Sequence, residues 1–435
     1  MDNLHPAGST QPLGCMSRFL IFISHAMLCS YGCLFFLESL LGFNARIIPM
    51  LRFGSALVAV VVILFEGKIV LKLNRFFLWY LGIIAISFIS NLYTVADNGM
   101  NVSINIFETA IVAIAFYSTL RDKACIKQFL FLLACSGGVL FVVLLTNEVL
   151  HIDNRLGATL TGGNTNNFAE YVMITFVAAV ITVIAAKRKS TKIIALIMCV
   201  VEMYMIFLSG GRKYILCPAI MIVVFVWRKM NTISLAKKIL LLAGVVLGFV
   251  VLWNVIMTNE VIYESIGKRF EANSMEASAG NRFELFTNGV YFFIRSPIWG
   301  HGENAYTKLN STVFGINMYS HNTYVELLTN WGLFGFLLYY IPYFKTIMAL
   351  KKASRKRTKD NLAFLFCAFM LSTLFLHTGI VAYISATLLI QLVAIGFRLV
   401  ELEQQAINLT AEGRVSDPAT VKNVNTHTTI PVNIR

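Results

Sequence analysis

The stretch that decides the fold is Phe168 to Ala186, FAEYVMITFVAAVITVIAA, closed by Lys187-Arg188-Lys189. As a helix it extends about 28 Å at ~1.5 Å per residue. That matches the ~30 Å hydrocarbon core of a bilayer. A basic cluster against one end of an apolar run resists translocation and holds that end in the cytoplasm. Its one charged residue, Glu170, lies near the other end.

Working outward, eleven further apolar runs share this character: Phe19 to Leu37, Ile47 to Phe65, Phe76 to Tyr93, Val102 to Leu120, Phe129 to Leu145, Ile193 to Leu208, Tyr214 to Trp227, Ile239 to Met257, Tyr324 to Leu350, Leu362 to Leu376 and Val381 to Phe397. The seventh and eighth spans are short enough to be tilted or partly re-entrant. Composition agrees, since 57% of the 435 residues are hydrophobic and 13% are charged. A soluble chain carries roughly a quarter. The fold class expected is an all-α polytopic membrane protein with about twelve transmembrane helices and one large extracytoplasmic loop containing short helices.

The 36 basic against 22 acidic residues would suggest nucleic acid as partner in a soluble protein; here cytoplasmic loops account for them and no nucleic acid is expected. Alternate loops carry them: Lys68/Lys72/Arg75, Arg121/Lys123/Lys127, Lys187/Arg188/Lys189/Lys192, Arg228/Lys229/Lys237/Lys238 and Lys351 to Lys359. Both termini are therefore expected in the cytoplasm. The expected organisation is 1–18 as a cytoplasmic N-terminus, 19–257 as spans one to nine, 258–323 as the large extracytoplasmic loop, 324–400 as spans ten to twelve, and 401–435 as a polar, disordered cytoplasmic tail. The eight cysteines stand singly, mostly in apolar runs, and read as small core hydrophobes.

Opposite the basic loops lie the segments that carry chemistry. The large loop holds Arg282, Arg295, His301 and His321-Asn322. Asn281 is placed to cap a helix that Pro297 ends, and Thr323 with Glu326 forms a T-x-x-E pair opening the next span, with His321 just ahead of it. A helix start favours anions, and a neutral imidazole there can take a proton from a hydroxyl. Two readings stay open for His321 and His301, a base or a ring bonded to a loop carbonyl; for Arg295, a ligand or lipid headgroups. Ser209-Gly210-Gly211-Arg212-Lys213 puts cations at an outward glycine turn, where a guanidinium grips two phosphate oxygens. Arg155 precedes Gly162-Gly163-Asn164-Thr165-Asn166-Asn167, a turn-rich stretch suited to sugar or phosphate. Arginines gathered against the positive-inside trend call for an anionic ligand. No DxD pair, HExxH or GxSxG occurs, and no phosphate loop, so no metal, nucleotide or other cofactor is expected. Intramembrane His25, Glu38, Arg52, Glu108, Glu170, Glu202 and His377 rank below the loop residues.

Gly300-His301-Gly302, then Tyr319-Ser320-His321-Asn322-Thr323-Tyr324-Val325-Glu326-Leu327-Leu328 and Gly332-Leu333-Phe334-Gly335, resemble the O-antigen polymerase and ligase (Wzy-type) superfamily. The resemblance extends to Asn281-Arg282, to the 209–212 turn and to Arg155. It implies a GT-C-like membrane glycosyltransferase that takes a glycan from undecaprenyl diphosphate outside the bacterial cytoplasmic membrane, in O-antigen, capsule or exopolysaccharide synthesis. It assigns catalytic work to His321, Arg282 and Arg212. Arg155, Asn322, Arg295 and His301 are the expected substrate-binding residues. The expected partners are the carrier-linked oligosaccharide, the bilayer, and a chain-length regulator or flippase of the same pathway. His301 stands where many relatives have a small apolar residue. The reading favoured here is a polymerase, with a ligase as the alternative; a flippase and a purely structural membrane subunit are the readings of other classes.

Overall fold

The computed structural model describes residues 14–42, 46–66, 74–147, 165–209, 211–230, 272–355, 361–384 and 388–411, with scattered positions between 234 and 263. Among these the chain is helical throughout, with thirteen α-helices and no strand. They are α1 (Cys15–Leu41), α2 (Ile47–Phe65), α3 (Arg75–Ser90), α4 (Gly99–Thr119), α5 (Lys123–Thr146), α6 (Thr165–Ala185), α7 (Lys189–Ser209) and α8 (Arg212–Met230), then α9 (Ala272–Arg295), α10 (Ala305–Phe314), α11 (Thr323–Arg355), α12 (Leu362–Leu376) and α13 (Leu389–Ala411). Seven are long and apolar enough to cross a membrane, and three shorter helices are apolar as well. The most enclosed of the seven is α6, the helix of the opening stretch; α2 and α7 leave most of their surface outward, as spans at a lipid boundary do.

Several boundaries differ from the sequence reading. The seventh span is a 21-residue helix long and apolar enough to cross a membrane, whereas the eighth lies in a 19-residue helix of which Lys213–Val224 forms a shorter apolar stretch. The ninth span, 239–257, lies largely outside the described residues. The helix expected to be capped by Asn281 begins earlier, at Ala272. The twelfth span starts at Leu389 after a turn with a short 3-10 segment, Ala382–Ile384, and α13 runs to Ala411, past the expected tail boundary at 401. Its extension is held by charge, because Arg398 pairs with Glu401 at 2.8 Å and Lys123 with Glu403. Residues 1–13 and 412–435 lie outside the described residues.

The tenth span departs most. Gly332 takes φ 62 and ψ −164, splitting α11 into two limbs, 323–331 and 333–355. Only glycine enters that conformation without strain. A broken helix leaves carbonyls before the break and amides after it without partners. Segment 297–302 supplies them: His301 N–H donates to Thr329 O at 2.8 Å and Gly302 N–H to Asn330 O at 2.9 Å, while Leu333 N–H donates to Pro297 O at 2.8 Å and Phe334 N–H to Ile298 O at 3.2 Å. The backbones of Gly300 and Gly332 meet so closely that a Cβ on either would lie 2.6 Å from the other's nitrogen. This explains the first glycine of the G-x-G motif and of the G-x-x-G motif in physical terms.

The first limb folds back on the second. Were α11 straight, Tyr324 and Tyr340 would be about 24 Å apart along the axis. Instead their rings stack at 5.0 Å, and Tyr324 OH donates to Leu374 O on α12 at 2.6 Å. The start of α11 is thereby carried about 12 Å back from the Gly332 apex. α9 lies alongside this limb and runs in the same direction, its end reaching the Gly332 apex. Thr329 Oγ1 donates to Gly289 O at 3.2 Å, and Gly289 has no room for a side chain beside Val325. At its apex the hairpin rests on a buried carboxyl: Trp331 Nε1–H donates to Glu303 Oε2 at 3.0 Å and the Ser87 hydroxyl donates to the same oxygen. Burial pushes the Glu303 carboxyl up to about 7.

Candidate active site

The turn leading into α11 is assembled by backbone and side-chain bonds that leave one imidazole free. Asn322 Oδ1 accepts from Tyr324 N–H at 3.0 Å and Val325 N–H at 3.3 Å, so Asn322 is the cap of α11. The T-x-x-E box is thus displaced by one residue. Glu326 accepts instead from Ser320 N–H at 3.0 Å and from the Ser320 hydroxyl. Thr323 is anchored to the turn after α12: its N–H donates to His377 O at 2.8 Å, its hydroxyl donates to Ile380 O at 2.6 Å, and Ala382 N–H donates to its oxygen at 3.0 Å. Lys213, second residue of α8, donates to Gly379 O in the same turn. One loop, 377–382, therefore holds both the start of α8 and the start of α11.

His321 sits at the corner of this frame with φ 55, a left-handed conformation uncommon for a residue with a side chain. Its ring lies against Tyr319 with centroids 3.9 Å apart. Among the described residues neither ring nitrogen has a hydrogen-bond partner. Burial, followed by the charges of Lys213 and Arg282, lowers its pKa to about 4. The imidazole is consequently neutral at physiological pH and able to accept a proton. Arg282 is exposed on α9 and has no ion-pair partner among the described residues. The Lys213 ammonium sits 5.0 Å from the Tyr214 ring centroid, and the buried Glu170 of α6 is the carboxylate whose field reaches it. The Tyr319 hydroxyl is raised by burial and by Glu326 and Glu170, with Arg282 opposing.

The expected site residues divide accordingly. Arg282 lies near enough to His321 for its charge to act on the imidazole. Arg212 is the first residue of α8, next to Lys213, and its side chain lies outside the described residues, as does all of Arg155. Arg295 stands at the far end of α9 from Arg282, about 20 Å along the axis. Its guanidinium covers the Tyr291 ring at 3.2 Å and donates to Tyr291 O at 3.1 Å, so it does not join the cluster. His301 takes its second reading: Nε2–H donates to Phe292 O at 2.9 Å. Asn322 serves as a cap. Lys213 was read from sequence only as the second cation of the glycine turn and Tyr319 only as part of the motif before His321; neither was given a role in the site. Of the intramembrane candidates, His25 bonds Thr119 at 2.8 Å, Arg52 bonds Thr109 at 2.6 Å and His377 bonds Tyr340 at 3.0 Å.

A corner that gathers Lys213, Arg282 and a neutral His321 lies wholly inside one segment recognised by comparison. Residues 193–340 match the O-antigen ligase family model. The match covers about a third of the chain and includes α8, α9, α10 and α11 as far as Tyr340. It agrees with the O-antigen polymerase/ligase resemblance read from the motifs. No curated protein matches the chain. Two residues that frame the O-antigen ligase-like corner, Glu170 and Gly379, fall outside the matched segment.

Proposed function

We propose that the chain is a membrane glycosyltransferase of the O-antigen polymerase/ligase type, joining a glycan carried on undecaprenyl diphosphate to an acceptor hydroxyl at the extracytoplasmic face of a bacterial cytoplasmic membrane. The observation that carries the reading is the convergence of two cations on a neutral imidazole whose nitrogens have no partner among the described residues. His321 takes the acceptor proton as its oxygen attacks the anomeric carbon. The carbon–oxygen bond to the diphosphate breaks, and the electron pair leaves with the diphosphate. Arg282 and Lys213 stabilise the charge that grows there, and Arg212 is expected to join them. Arg155 is expected to join them from the preceding outer loop.

A second carrier-linked repeat unit is the acceptor favoured here, which makes the protein a polymerase for O-antigen, capsule or exopolysaccharide. The ligase reading, with lipid A core or another terminal acceptor, is favoured by the description of the matched family. Purified protein given carrier-linked repeats, without nucleotide or ion gradient, tests both. A ladder of lengthening glycans supports the polymerase. A single transfer that requires the terminal acceptor supports the ligase. Absence of any glycosidic bond formation with either acceptor overturns the proposal.

A further inference from the structure

Helix α9 has two apolar faces, and the fold explains only one. Leu285, Asn288, Gly289 and Phe292 are buried against the first limb of α11 and α10. At 100° per residue the opposite face carries Phe283, Phe286, Val290 and Ile294. Phe283 is 71% exposed and Ile294 68%. A helix on an aqueous surface turns polar residues outward, so this face is not built for water.

What covers it follows from its depth. The second limb of α11 is among the apolar spans, and it turns Leu337, Ile341 and Phe344 outward, as a lipid-facing surface does. The first limb is folded back along the opening turns of that span as far as Tyr340. α9 is stacked against the first limb from Pro297, at the Gly332 apex, through Gly289 beside Thr329. Trp299 joins the two outward surfaces, its ring 5.3 Å from that of Phe334. Aromatic side chains at such a junction suit the headgroup level.

We propose that α9 and the first limb of α11 form a re-entrant pair whose outer face, Phe283, Phe286, Val290 and Ile294, contacts the acyl chains of the adjacent leaflet. This placement does not depend on the glycosyltransferase reading.

The test uses the full-length protein in lipid nanodiscs. Phe283→Trp and Ile294→Trp each add emission to that of the five native tryptophans. The added emission should be quenched severalfold more strongly by phospholipid brominated in the acyl chains than by aqueous iodide. Quenching by iodide alone overturns the proposal in favour of a water-facing helix, and resistance to both quenchers overturns it in favour of a protein-covered face. Phe286→Trp provides a third position should either variant fail to enter nanodiscs. Since the readout needs no turnover, an inactive protein leaves it intact, and an active one does not secure it.

Discussion

The two ends of the helical bundle both gather cations, but they treat them differently. At the end where α5 begins, Arg121 meets Glu66 at 2.7 Å, Lys123 meets Glu403, and Arg398 meets Glu401 at 2.8 Å while donating to Leu120 O at 2.7 Å. Each of these three groups has a carboxylate supplied by the chain, and the pairs with Glu66 and Glu403 tie α2, α5 and α13 together. At the other end Lys213 and Arg282 face a neutral imidazole, and the Lys213 ammonium is satisfied by a backbone carbonyl. Counting basic residues would rank the first end as the anion-binding one. Counting partners reverses the order, because a charge already paired and hydrogen-bonded has little left to give a ligand.

The sharpest way to break this contrast is at the imidazoles. His321→Ala should lower turnover by about 10²- to 10⁴-fold, the usual worth of a general base. His301→Ala, which removes only a bond to Phe292 O, should leave turnover within the same order of magnitude. Steady-state rates of both variants, with expression checked by quantitative blot, decide the matter. Equal losses would mean that the freedom of the His321 ring has no bearing on chemistry.

The cations come next in size. Arg282→Ala should cost about 10²- to 10³-fold in turnover, like the loss of one charge-stabilising donor, and Arg282→Lys should recover part of it. Arg121→Ala, at the paired end, should leave kcat unchanged and cost about 1 kcal/mol of stability or less, because its ion pair is partly exposed. Glycan transfer and thermal unfolding measured side by side would separate them. A catalytic defect in Arg121→Ala would erase the distinction between the ends.

What the sequence disclosed follows the range over which each signal acts. The span at 168–186 was legible because nineteen residues with a single charge among them have one physical explanation, and α6 forms there. His321 and Arg282 were legible through motifs and through their position against the positive-inside trend. The hairpin at Gly332 was not, because hydropathy does not register direction: 324–350 is equally apolar whether straight or folded back, and the evidence for the fold lies in a tyrosine pair sixteen positions apart. Glu303 was invisible for a similar reason. A carboxylate in a loop reads as solvated until Ser87 and Trp331, both distant in sequence, are found around it. Arg295 and Asn322 were expected to bind substrate, and local geometry gives each a partner within the chain: one folds over Tyr291 and the other caps its own helix.

A smaller effect probes how the unpaired end tunes its base. His321 is faced by Lys213 from α8 and Arg282 from α9, while Glu170 of α6 acts on Lys213 and Glu326 of α11 on the neighbouring Tyr319. Since burial and both cations disfavour the imidazolium, the active neutral form persists down to about pH 4, and kcat/KM should fall only as pH drops through that value. Binding a dianionic diphosphate opposes the cations, so the acid limb of kcat should lie at higher pH than that of kcat/KM. Lys213→Met removes one cation and should move the kcat/KM limb upward, toward the ordinary histidine range. A Lys213→Met profile that coincides with wild type would show that Lys213 holds Gly379 without influencing His321.

The smallest expected effect separates a cap from a ligand at Asn322, which adjoins the base and was expected from sequence to bind substrate. Its Oδ1 is already committed to Tyr324 N–H and Val325 N–H. If capping is its whole role, serine, an uncharged residue that caps equally well, should keep turnover within about twofold, whereas Asn322→Ala should cost about 1 kcal/mol of stability and loosen the turn that holds His321. If the amide nitrogen reaches a sugar hydroxyl, Asn322→Ser should instead raise KM at unchanged unfolding temperature. The pair of variants therefore distinguishes the two roles without either one having to abolish activity, and it does so one residue from the group on which the chemistry turns.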